Sequence, residues 1–218
     1  MTDTSNRPFV VAIDGPAAAG KGTLAQALAE RLGLPHLDTG LLYRAIGKLM
    51  AVRGFDLDDA ELAGEFARNL APEDLRRDDL RGREAGELAS RVAVHPEVRA
   101  ALVDFQRTFA ARAPGAVLDG RDIGTVICPD ADVKIYVTAS AEVRARRRTD
   151  ELLAKGRDVD YARILEETRD RDHRDANRAV APLRPADDAV VLDTSDLDRD
   201  AALAAALAIV AAKRAARG

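Results

Sequence analysis

One cysteine in 218 residues leaves no partner for an internal disulfide and no CxxC pair for a metal or redox centre. That residue, Cys128, stands beside Pro129 and reads as a small buried hydrophobe. Three scattered histidines, His36, His95 and His173, have no ligand spacing, which removes a His/Cys zinc site. Aromatic residues make up 4% of the chain and tryptophan is absent, leaving few platforms on which nucleic-acid bases could stack. No apolar run approaches the roughly 20 residues of a membrane span, and the polar stretch Met1 to Arg7 is too short for a signal peptide. A formal charge of -4 argues against coating nucleic acid or an anionic membrane. A reduced, cytoplasmic setting is expected. Lysine is scarce too: Lys21, Lys48, Lys134, Lys155 and Lys213 are five of 33 basic residues, so 28 are arginine. Codon bias accounts for most of that excess, but arginine also grips phosphate bidentately where lysine cannot.

What is present is enough for one core: 47% hydrophobic and 32% charged residues over a length suited to a single domain. Phe9 to Asp14 is a continuous apolar run, the pattern of a strand buried on both faces, followed by a Gly/Ala turn. A helix from Gly20 to Gly33 carries Leu24, Ala27, Leu28 and Leu32 at helical spacing. Pro35 to Asp38 reads as a second strand, with Thr39 placed to cap the helix that ends at Gly54. Strands are expected at Ala116–Asp119, Val133–Val137 and Ala189–Asp193. Helices capped by Ser140, Asp160 and Asp198 run to about Lys155, Arg178 and Arg217. Five short buried strands alternating with helices specify an α/β fold, a five-stranded parallel sheet with right-handed crossovers. Helices are also expected over Asp58–Leu70, Glu84–Val94 and Pro96–Arg112, while Ala71 to Gly82 is charge-dense without apolar alternation. One domain therefore spans 1–218, its core at about 8–54 and 113–218, with an excursion at about 55–112.

The strongest local signal is Gly15-Pro16-Ala17-Ala18-Ala19-Gly20-Lys21-Gly22-Thr23, a G-x-x-x-x-G-K loop between a strand and a helix. Gly15 and Gly20 let such a loop wrap so that backbone N–H groups point at a polyphosphate. The helix N-terminus adds partial positive charge, and Lys21 reaches the β- and γ-phosphates. Gly22 stands where the strict motif has Ser or Thr, and Thr23 comes one place late.

The G-K-G-T variant resembles the phosphate loop of nucleoside monophosphate kinases. Three further segments narrow the resemblance: Leu37-Asp38-Thr39-Gly40-Leu41-Leu42-Tyr43-Arg44, then Leu118-Asp119-Gly120-Arg121-Asp122-Ile123-Gly124-Thr125, then Arg171 to Leu183. With Pro129 to Ile135, they resemble the bacterial cytidylate kinases over nearly the whole chain. The resemblance implies a P-loop kinase fold and transfer of the γ-phosphoryl group of ATP to CMP and dCMP, with magnesium accompanying ATP. It implies that residues 15–23 hold ATP, that Lys21, Arg121 and Arg178 are catalytic, and that Arg44, Arg121 and Arg178 hold the acceptor phosphate. It further places Arg171 and Asp175 near the sugar, and Thr39, Ser90, Arg99 and Asp122 around the cytidine. A lid is implied at about 144–178, and a monomer is expected.

Some residues keep two readings at this level. Arg171, Asp175 and Arg178, at i, i+4 and i+7, also fit a solvated helix face. Arg144, Arg146, Arg147 and Arg148 read more readily as a solvated helix than as a lid. Asp119 is either a magnesium-organising acid or a cap, and Thr23 is the other candidate for the metal. Tyr43 reads as packing rather than stacking. The family's small β-stranded insert is expected to be trimmed here, because Pro72 to Gly82 is short and charged. The rival readings are a kinase for another small acceptor, or a module that only senses ATP or uses its arginines on RNA.

Overall fold

The computed structural model describes residues 7–216. The polar segment 1–6 and the expected helix end at 217 lie outside the described residues. The chain runs β1 (Phe9–Asp14), α1 (Lys21–Leu32), β2 (His36–Asp38), α2 (Thr39–Val52), α3 (Ala60–Arg68), α4 (Arg83–Val92) and α5 (Pro96–Ala110). It continues through β3 (Gly115–Gly120), β4 (Val133–Thr138), α6 (Ala141–Ala154), α7 (Tyr161–Asn177), β5 (Val190–Asp193) and α8 (Arg199–Ala215). Among the described residues these strands form one parallel sheet in the order β2-β3-β1-β4-β5.

The apolar run of β1 is explained by helices on both faces. Val11 and Ile13 pack with Leu24, Leu28, Ala206 and Val210 of α1 and α8, whereas Ala12 packs with Ala110 of α5, Leu118 and Ile123. The expectation of five buried strands needs correcting at the edges: β2 is half-buried throughout and Val191 of β5 is 58% exposed, because an edge strand has a neighbour on one side only.

The excursion between β2 and β3 has its own core, in which Leu42, Ile46 and Met50 of α2 meet Ala63, Val92, Val98 and Leu102. Two 3-10 turns, Pro72–Arg76 and Asp78–Leu80, fill the charged stretch, with no strand among its described residues. A fourth, small core joins α6 and α7 through Ala145, Leu152 and Ile164.

Ser140, Asp160 and Asp198 do accept the first-turn N–H groups of α6, α7 and α8. Thr39 does not cap α2. Asp38, in extended conformation, accepts from Leu41 N, while Thr39 sits inside the helix and donates its hydroxyl to Asp119 O at 2.8 Å. Cys128 is half-buried, and burial pushes its thiol up to about 11, in keeping with an unreactive hydrophobe. Among the described residues no helix is long and apolar enough to cross a membrane.

Candidate active site

The loop after β1 is built by its glycines. Gly15 has φ +151°, and a Cβ there would lie 2.0 Å from Val137 O. Gly20, at φ +85°, caps α1 with no side-chain hydrogen bond, and no acidic residue occupies the first turn of that helix. The α1 amides and their partial positive charge are thus left for a ligand anion. Ala18 is drawn into the left-handed region as well, at φ +60°.

A cleft of about 660 Å³ opens beside this loop, over the carboxyl ends of the central strands, where ligands bind in open parallel sheets. Ala17, Ala18, Lys21 and Gly22 line it. So do all the residues expected around the acceptor: Thr39, Arg44, Ser90, Arg99, Arg121, Asp122, Arg171, Asp175 and Arg178. Gly15, Pro16, Ala19, Gly20 and Thr23 do not line it. The first four shape the loop backbone, and Thr23 is exposed on α1.

Each cationic side chain is set by a different element. Arg44 on α2 donates to Asp38 Oδ2 at 2.5 Å. Arg121, one residue past β3, donates from Nε to Asp175 Oδ2 on α7 at 2.8 Å. Arg99 on α5 is ion-paired with Asp122, and its guanidinium lies 5.9 Å from the centre of the Tyr43 ring. Arg178 begins the chain's departure from α7 and lies 3.7 Å from the other Asp122 oxygen. Asp175 is 7% exposed, so this end of α7 is not the solvated face that its spacing also allowed.

The electrostatics are those of a cation cluster awaiting charge of the other sign. Burial, reinforced by Arg121, pulls the Lys21 ammonium down to about 7. Burial and the same arginine pull Arg171 down to about 10. Burial raises the Asp122 carboxyl, with Arg99 and Arg178 offsetting only part of that effect. For Asp175, burial acts upward but Arg121 and Arg171 outweigh it, and the net shift is downward. Among the described residues four buried side-chain polar atoms have no hydrogen-bond partner; one is Thr125 Oγ1, and the other three, Arg44 Nε, Arg171 Nε and Arg178 Nη2, belong to arginines that line the cleft. Buried donors are normally satisfied, so the three arginine nitrogens mark where an acceptor-rich ligand would fit in the cleft.

Some residues escaped the sequence reading. Asp14 accepts from Ile123 N and Gly124 N, each at 2.7 Å, fixing the segment that carries Arg121 and Asp122. Its only sequence signal was an acid closing an apolar strand. His36 Nε2 lies 2.9 Å from Asp119 Oδ1, and both side chains line the cleft. Arg144 is 4% exposed, which corrects the view of 144–148 as a solvated helix face. Arg147 is also engaged, donating to Thr194 O at 2.6 Å. The buried stripe Ala145, Thr149 and Leu152 was the clue, since Arg144 sits at its edge.

A family model for cytidylate kinase matches residues 11–212. The chain belongs to the cytidylate kinase family. It is accordingly a kinase, a transferase enzyme. The cytidylate kinase of Methylocella silvestris is 63% identical over 202 residues, covering 93% of this chain and 94% of its own. That of Paramagnetospirillum magneticum is 61% identical over 208 residues, covering 94% and 99%. That of Brucella suis is 55% identical over 203 residues, covering 93% of each. Among solved structures, an uncharacterized protein from Eubacterium ventriosum shares the fold at TM-score 0.53 and 15% identity, covering 93% of this chain and 98% of its own. A gluconokinase from Sinorhizobium meliloti does so at TM-score 0.50 and 15% identity, covering 94% and 93%. Those two likenesses concern the fold alone, and they agree with the P-loop kinase architecture of this cytidylate kinase family member.

Proposed function

We propose that this enzyme transfers the γ-phosphoryl group of ATP to CMP and dCMP in the cytoplasm, giving the pyrimidine nucleoside diphosphate and ADP. The observation that carries the reading is the set of buried donors without a hydrogen-bond partner on Arg44, Arg171 and Arg178, which line the same cleft as Lys21. The names of the 55–63% identical relatives supply the acceptor.

The physical obstacle in this reaction is repulsion between two anions. A phosphate monoester has its second pKa near about 6, so the acceptor is already a nucleophile and needs no general base at neutral pH. Two unit charges about 4 Å apart repel by roughly 4 kcal/mol at an effective dielectric near 20. Lys21 and the loop amides hold the ATP phosphates on one side. Arg44, Arg121 and Arg178 hold the acceptor phosphate on the other, so charge and alignment are supplied together. Arg171 and Asp175 serve the sugar, Ser90, Arg99 and Asp122 surround the base, and Thr39 completes the CMP-binding set. A carboxylate suits the amino donor of cytosine and repels the carbonyl that uracil carries in its place.

Magnesium accompanies ATP on this reading, neutralising phosphate charge. It keeps several waters and takes one or two protein carboxylates besides phosphates, rather than an all-protein cage. Asp119 fits that demand: it lines the cleft, and a Cβ on Gly22 would stand 3.7 Å from its Oδ2. Thr23, exposed and away from the cleft, fits less well. Residues 55–112 form the monophosphate-gripping part and 144–178 the lid, and a single chain supplies the whole cleft, so a monomer suffices.

The test is a coupled ADP-release assay with CMP, dCMP, UMP and AMP as acceptors. Turnover with CMP and dCMP above the others is expected. Turnover confined to UMP or AMP would overturn the acceptor, and none with any would favour a nucleotide-sensing module.

A further inference from the structure

Arg144 has no place in the reaction as described, yet it joins the two sides of the cleft. Its Nε donates to Ala139 O at 2.9 Å, at the end of β4. Nη1 donates to Ala17 O in the phosphate loop at 3.1 Å and to Asp172 Oδ1 on α7 at 2.9 Å. Nη2 donates to Asp172 Oδ2 at 2.5 Å. A guanidinium has five N–H donors, and four of these are thereby committed to the protein. The side chain is a bracket, held by a bidentate charged pair and two carbonyls, and not a free cation waiting for a nucleotide.

What it brackets is specific. Ala17 belongs to the loop that ends in Lys21, and Asp172 adjoins Arg171 and precedes Asp175 by three residues on one helix. Because a helix moves as a rigid rod over one turn, the position of Asp172 sets the height of Arg171 and Asp175 above the loop. Arg121 also reaches α7, donating to Asp175 Oδ2 at 2.8 Å, but from the end of β3 and not from the phosphate loop. The tie from Arg174 to Glu87 at 3.0 Å is about half exposed on both sides and screened by solvent.

We propose that Arg144, acting with Asp172, is a positioning residue for phosphoryl transfer: it holds the donor loop and the acceptor-gripping helix in register. The inference rests on the reading of the enzyme as a CMP kinase. Lysine at 144 keeps the charge but cannot form the fork and both carbonyl bonds together. Asn at 172, a half-exposed position, keeps the shape and one acceptor.

The experiment compares wild type, Arg144→Lys, Asp172→Asn and the double variant by steady-state ADP release at varied ATP and CMP. Circular dichroism and melting curves establish which variants are folded. Arg144→Lys is expected to lower kcat on the order of a hundredfold, the cost of a misplacement of about 1 Å. Both KM values should stay near wild type, as when an interaction felt only in the transition state is lost. Asp172→Asn should lower kcat by less, and the double variant should fall no further than Arg144→Lys, because both changes break one bracket. Folded variants with wild-type kcat, or with a loss confined to KM, would overturn the positioning role. Wild type that cannot phosphorylate CMP would overturn the functional reading beneath it, so the two failures are distinguishable.

Discussion

The Asp122 carboxylate receives the Arg99 guanidinium, and the two side chains are only 7% and 6% exposed. Arg178 approaches the second Asp122 oxygen at 3.7 Å. One carboxylate therefore organises two arginines at the place proposed to read the base. Asp122→Asn removes the counter-charge and keeps the shape. It should erode the preference for CMP over UMP more than it lowers the rate, and an unchanged ratio would remove Asp122 from base reading. Thermal melts should show a loss of about 2 kcal/mol, the scale of a buried hydrogen bond to a charged group.

Lys21 gives a pH signature of definite sign. Burial sets its folded value at about 7, against 10.5 for the ordinary side chain. Between those values the unfolded chain binds the extra proton, so this group makes stability rise as pH increases from about 7 to 10.5. Lys21→Met should nearly abolish turnover, raise the melting temperature at pH 7 and flatten that rise. Melting curves across the pH range check it. In wild type, ATP affinity should weaken above pH 7 as the free lysine loses its charge.

Asp14 carries the opposite sign. Burial raises its carboxyl to about 6 from 3.8, although the Gly124 and Ile123 N–H groups act against that rise. Here the folded state binds more protons between about 3.8 and 6, so the stability cost of the buried charge develops as pH rises through that window. The neutral variant Asp14→Asn avoids this cost, and its stability deficit against wild type should shrink from pH 4 to 7. In wild type, protonation weakens the grip on Ile123 and Gly124, so kcat should fall below pH 6. The Asn variant should lack that limb in its pH–rate profile.

The two loop glycines should respond unequally to alanine. At Gly15 the added methyl would meet Val137 O at 2.0 Å, which requires backbone displacement, so Gly15→Ala should not accumulate as folded protein. At Gly20 nothing stands within 4 Å, and only the positive φ is unfavourable. Gly20→Ala should fold, at a cost of about 1–2 kcal/mol. Denaturant unfolding of soluble protein separates the two.

Local pattern was sufficient for much of this molecule. Apolar runs and helical spacing placed the five strands and the helices, the glycine pattern placed the loop, and Ser140, Asp160 and Asp198 announced three helix starts. These features depend on neighbours within one or two turns of chain, which is why the sequence displays them. The family motifs carried the cleft-lining residues, from Arg44 to Arg178. Tertiary structure decided the partners. It chose Asp38 over Thr39 as the cap of α2, because the Thr39 hydroxyl is taken by Asp119 O, 80 residues away. It left β2 and β5 half-covered as sheet edges, directed Asp14 to amides 109 and 110 residues distant, and joined Arg144 to a loop 127 residues before it. No periodicity encodes such pairs, since they exist only once the sheet order has brought distant strand ends to one side. The same juxtaposition sets the half-buried Lys21 and Arg171 beside Arg121, and so gathers positive charge in one cleft of an acidic chain.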